Sequence, residues 1–148
     1  MMRTQNRVGR RGSRGQALVE FALILPIFIL VLVGIFDFGR AVYAYNTISN
    51  ASRQAVRLGI VDQNVIKIKA DAVKASVSLG AAPADVDVFF KTPDLSANCT
   101  APVGVGCVVV VTVHYHYHAA TPLIGNLVGT INMSSTTREP IERSYVSP

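Results

Sequence analysis

From Ala17 to Phe36 the chain runs for twenty residues with a single charge, Glu20. Read as helix, residues 16–36 reach about 31 Å at about 1.5 Å per residue, close to the hydrocarbon thickness of a bilayer. This run predicts one transmembrane helix and leaves the rest of the chain room for one modest domain. Half of the residues are hydrophobic and only 16% are charged, and much of that excess sits in this run. The carboxylate of Glu20 is then a puzzle. An ion placed deep in such a segment costs about 2.5–3.5 kcal/mol even on lenient insertion scales.

The charge of the chain is equally local. Arg3, Arg7, Arg10, Arg11 and Arg14 precede the apolar run and account for the whole net charge of +5. Positive charge stays on the cytoplasmic side, so the expected orientation is N-terminus inside and residues beyond about 40 outside. The body of the chain is formally neutral, with nine basic and nine acidic side chains, which speaks against a nucleic-acid partner. Outside the membrane Cys99 and Cys107 meet an oxidising compartment. They either close a small disulfide loop or remain as two thiols, and their spacing fits neither CxxC nor a zinc motif.

Residues 1–15 are rich in Arg, Gly and Ser without apolar periodicity, which predicts a disordered leader. Beyond the apolar run the hydrophobic residues thin to one stripe. Ala41, Ala44, Ile48, Ala51, Ala55 and Leu58 recur at helical spacing, with Asn46, Asn50, Arg53 and Arg57 on other faces. One helix is expected from about Gln16 to Leu58, with Gly59 in a C-cap and Pro26 as a point of weakness. Asp37 and Arg40, three residues apart and able to pair, mark the outer membrane boundary with Tyr43 and Tyr45. A second helix is expected over residues 63–79, capped by Asp62, stopped by Gly80, and presenting Ile66, Ala70, Val73 and Val77 on one face. The period then becomes two. Strands are expected at Asp85–Phe90, Cys107–His118 and Thr130–Thr137, with a loop at 92–106 and a loop or short helix at 121–129. The predicted class is α+β, a long helix packed on a small antiparallel meander with a second helix.

Gly15 separates the basic leader from Gln16-Ala17-Leu18-Val19-Glu20-Phe21 and the apolar run. This arrangement resembles the processing site of type IV-like prepilins. The longer stretch RGQALVEFALILPIFILVLVGIFDFGRAVYAYNTISNASRQAVRLG, residues 14–59, is similar to the TadE-like family of the tight-adherence (Flp) pilus system. The resemblance implies a pilin-like fold and a non-enzymatic minor pilin or pseudopilin. It also implies cleavage after Gly15 by a prepilin peptidase, with Gln16, Glu20 and Phe21 completing the processing motif. Major pilins often carry Tyr where Phe21 stands here. Cleavage would create a positive α-amine on Gln16, and Glu20 would neutralise it on its own or a neighbouring chain, offsetting the cost of holding either charge among apolar groups. The implied partners are the peptidase, other pilin-like subunits, the inner-membrane assembly platform and the lipid bilayer. The implied location is the bacterial cytoplasmic membrane, single-pass, with the possibility of incorporation into a surface pilus. The chain then divides into a leader at 1–15, a transmembrane half-helix at 16–40 and an outer domain at 41–148.

His114, His116 and His118 alternate along the expected second strand, which puts them on one face about 7 Å apart. A His-x-His pair can bind zinc or copper. The sequence places no acidic residue or cysteine beside them, and alternation is equally the signature of a solvated strand face with Tyr115 and Tyr117 inward. No metal or other cofactor is therefore assigned. GxSxG, HExxH, P-loop and GxGxxG patterns are missing from the chain, and no catalytic residue is assigned. Two other readings compete with the pilin-like one. The first is an unprocessed single-span scaffold or sensor. The second is a secreted domain behind a conventional signal peptide cut near Val42-Tyr43-Ala44, against which the long apolar run and the intervening Asp37 and Arg40 count.

Overall fold

A 48-residue helix, α1 (Gly12–Gly59), dominates the computed structural model, which describes residues 12–100 and 103–146. Residues 1–11, and with them most of the expected leader, lie outside the described residues, whereas Gly12–Gly15 already belong to α1. The helix continues through Pro26. Every residue from Gly15 to Leu32 is exposed, whereas Ala44, Ile48, Ala51, Ser52, Ala55 and Val56 are buried. The expected stripe is thus the buried face, with Ala41 and Leu58 at its half-buried margins.

Gly59 does not cap the helix in the expected way. Its φ is not positive, and backbone bonds from Ile60 to Val56 and from Asp62 to Leu58 carry the chain beyond it. Its small size has another cause: a Cβ here would stand 2.8 Å from Val109 Cγ2 and 3.3 Å from Ile68 Cδ1. Glycine lets the end of α1 meet the sheet and the next helix.

That next helix, α2 (Val65–Ala75), is shorter than the sequence suggests and continues as a 3-10 turn at Val77–Leu79 before Gly80, which takes a left-handed conformation (φ 69°). Asn64, and not Asp62, is its N-cap: the Asn64 side chain accepts from the backbone N–H groups of Ile66 and Lys67. Asp62 lies two residues earlier and accepts from Asn64 N at 3.0 Å. The buried face also differs from expectation. Ile68 and Ala72 are fully buried and Ser76 continues their row, while Ile66 and Val77 are 80% and 74% exposed.

Three antiparallel strands follow in the order β1–β2–β3: β1 (Val86–Lys91), β2 (Val108–His118) and β3 (Thr130–Pro140). A short helix, α3 (Pro122–Val128), joins the last two. Val109, Val111 and Val113 of β2 are fully buried and join Ile48, Ala51, Ala55, Val56, Ile68, Ala72 and Val86 in one core. Since Gly59 meets Val109 and Asp37 meets Tyr117, β2 runs back along α1 in the opposite direction. The helix covers about 33 Å between those contacts, and the strand about 27 Å. The architecture is α+β as expected. A polar seam crosses the interface: Ser52 Oγ, fully buried, lies 2.8 Å from Thr137 Oγ1 and 3.3 Å from Ser135 Oγ. Gln63 ties down the C-terminal tail, donating to the carbonyls of Gly59 and Arg143 and accepting from Tyr145 N. A disulfide joins Cys99 to Cys107 and closes the β1–β2 connection.

Candidate functional site: the apolar helix and its junction with the domain

The residues of the expected processing motif share the first turns of α1. Gly15, Gln16, Glu20 and Phe21 are all exposed, and the space around Gly15 would admit a Cβ without any contact within 4 Å. Gln16 and Glu20 stand one helical turn apart. The Gln16 side-chain amide donates to Glu20 Oε1 at 3.2 Å, so the helix brings residue 16 and the carboxylate within bonding reach. Around and beyond them Leu18, Val19, Leu23, Ile24, Ile27 and Phe28 are each more than half exposed. By length and composition this half of α1 is a candidate membrane span.

At the far end of the apolar run the second carboxylate is treated in the opposite way. Asp37 is only 7% exposed. Its Oδ1 accepts from Ala120 N at 3.0 Å, and its Oδ2 from Thr121 N at 3.3 Å and from the Thr121 hydroxyl. Its backbone carbonyl accepts from the buried Tyr117 hydroxyl at 2.7 Å. Arg40, one turn on, approaches Oδ1 to 3.8 Å. Burial, reinforced by the Asp37 charge, pushes the Tyr117 phenol above its ordinary range. The expected Asp37–Arg40 pair exists, but the main work of Asp37 is to clamp the end of β2 and the start of α3 to the helix. Sequence reasoning missed this clamp. The available signal was Thr121-Pro122, a helix-start pair whose one backbone donor, the Thr121 N–H, has no intrahelical acceptor.

Tyr43 and Tyr45, expected as interfacial anchors, are both more than half exposed, and the Tyr43 hydroxyl donates to Ser78 Oγ at 3.1 Å. On the outer sheet face His116 and His118 are exposed and His114 half-buried, with Tyr117 buried on the opposite face. An acidic partner that the sequence did not place beside the histidines is present: Asp87 Oδ2 lies 3.1 Å from His114 Nε2, because Asp87 pairs with Thr112, two residues from His114 on the same face. His116 Nδ1 instead lies 2.7 Å from Asn132 Oδ1, and His118 Nδ1 lies 3.2 Å from Thr130 Oγ1. The three rings are thus engaged with three different partners. Among the described residues no three His, Cys, Asp or Glu side chains gather as a metal site.

Residues 15–57 match the family model described as TadE-like protein. The match starts at Gly15, takes in the whole apolar run and ends near the C-terminus of α1, in agreement with the resemblance read from the sequence over residues 14–59. This segment of the chain is similar to that family. No curated protein and no solved structure matches the chain.

Proposed function

We propose that this protein is a non-enzymatic minor pilin or pseudopilin that takes part in assembling a tight-adherence pilus after a prepilin peptidase cleaves it behind Gly15. The observation that carries this reading is the TadE-like segment, which starts at Gly15 and puts Glu20 five residues further on. The division of α1 supports it. One unbroken helix offers an all-round apolar first half to lipid or to neighbouring helices, while its second half is the spine of a folded domain. On this reading Glu20 serves as a registry device. It neutralises the new α-amine of Gln16, on its own chain or on a neighbour, and favours one axial offset between packed helices. The proposed partners are the peptidase, other pilin-like subunits, the inner-membrane platform and the bilayer. The proposed location is the cytoplasmic membrane with the domain outside. Removal of a signal peptide after Ala44 would separate the domain from Asp37 and its three bonds to Ala120 and Thr121, which favours a helix that stays whole through this point.

Intact mass and N-terminal sequencing of the mature chain, produced with a prepilin peptidase, test the reading. The expected first residue is Gln16, and Gly15→Leu should leave the chain membrane-inserted at full length. A mature chain starting at Met1 or Met2 despite active peptidase, or near Tyr45, would overturn it.

A further inference from the structure

The clamp at Asp37 fixes more than the angle of the domain: it fixes the height of α3. Ala120 and Thr121 bind the carboxylate of the first residue after the apolar run, so α3 starts at the level where that run ends. From there the chain turns towards the run. Val128 and Ile131 line a groove whose other wall is Gly34, Asp37, Phe38 and Ala41 of α1, with Tyr117 and Ala119 at its floor. Gly34 lies inside the apolar run. The groove is therefore continuous with the surface that the candidate span presents to lipid, and its rim is apolar: Phe38, Val128 and Ile131 are 71%, 51% and 38% exposed. Residues 119–133, AATPLIGNLVGTINM, contain no Asp, Glu, Lys or Arg. An uncharged turn with exposed apolar side chains, held at the end of a membrane helix, is suited to the boundary between headgroups and acyl chains. The polar groups nearby are either bonded within the protein, as at Asp37 and Tyr117, or line a separate depression with His118, Asn126 and Thr130.

We propose that α3 and the start of β3 form a second membrane contact, a foot that rests in the outer interface of the bilayer beside α1 and holds the sheet upright on it. This rests on the reading of residues 16–36 as a membrane span. The foot takes lipid as its partner because its groove is an extension of the span's own surface, and a span with a tethered domain brings that surface to lipid before any other chain arrives.

The protein has no tryptophan, so single tryptophans report position directly. The full chain is placed one copy per nanodisc, in phosphatidylcholine with or without acyl-chain bromination, carrying Val128→Trp, Leu32→Trp or Val105→Trp. Leu32 lies in the run, and Val105 (70% exposed) lies beside the opposite end of β2. Quenching of the Val128→Trp signal to about half the extent seen for Leu32→Trp, with none for Val105→Trp, is the expected result for a group at the interface. Ile131→Trp, on the same groove, gives an independent reading should Val128→Trp disturb the fold. If Leu32→Trp is quenched while the Trp at 128 and at 131 behaves like that at 105, the foot is overturned and the span stands. If Leu32→Trp is not quenched either, the span reading fails and the foot with it. A blue-shifted but unquenched Trp at 128 and 131 would mean that protein, not lipid, covers the groove, and would also overturn the proposal.

Discussion

Glu20 and Asp37 stand near the two ends of one apolar run and meet opposite fates: one is exposed beside a single amide donor, the other is buried under two backbone amides and a hydroxyl. The difference predicts different behaviour on substitution. Glutamine at position 20 is close in shape and cheaper to bury, so Glu20→Gln should be inserted and cleaved normally. If the carboxylate pairs with the Gln16 α-amine, removing one partner of a buried pair costs about 3–5 kcal/mol, and crosslinking to pilin-like partners and pilus counts should collapse, with Glu20→Asp intermediate. Wild-type piliation in Glu20→Gln would refute the pairing. Asp94 offers a separate test of how local bonds set a charge. Its carboxylate accepts from the hydroxyls of Ser96 and Thr92, then from Ser96 N, and is pulled from 3.8 down to about 2. A depressed carboxylate contributes stability that is full above its unfolded pKa and lost as pH falls through the folded value. The turn at 92–97 should therefore keep its native chemical shifts at pH 4 and lose them approaching pH 2, as followed by carboxyl NMR. Glu20 was legible in the sequence because a lone charge in an apolar run is conspicuous. Asp37 was not, because its binding partners lie more than eighty residues away.

At the level of elements, the stripe of α1 and the alternation of β2 were readable because each keeps one period over many residues. The face of α2 was misread for a physical reason. Its buried row is Ile68, Ala72 and Ser76, a step of four that includes a small and a polar side chain. Ser76 satisfies itself by donating to the Ala72 carbonyl at 2.7 Å. Large apolar residues at positions 66 and 77 drew the prediction to a face of which only Val73 packs against the core. Gly59 shows the same limit, since its proximity to Val109 depends on a strand fifty residues away. Alanine would gain about 1 kcal/mol of helix propensity at an unconstrained site. Here its Cβ meets the fully buried Val109, so Gly59→Ala should instead destabilise the domain by about 1–3 kcal/mol. Denaturant unfolding of the detergent-solubilised chain measures it, and a stabilised Gly59→Ala would show that the contact relaxes freely.

For the molecule as a whole, the sequence suggested a domain starting at residue 41, where the apolar stripe takes over from the apolar run. The contacts start earlier, at Asp37. A fragment starting at Gly34 should therefore outlast one starting at Ala41 in thermal unfolding, by about 1–3 kcal/mol, chiefly for the buried Tyr117 hydroxyl left without its acceptor. Equal stability would mean that water replaces the carboxylate without loss. The two ends of the α1–β2 contact are held differently, by polar bonds at Asp37 and by close packing at Gly59, and the strand lies lengthwise between them. A pull on α1 along its axis consequently loads both fastenings and the valines between them together, in shear. Rows loaded in shear yield all at once, whereas rows peeled from one end yield one by one. A domain fastened in this way resists a pull on its helix along the whole length of the strand.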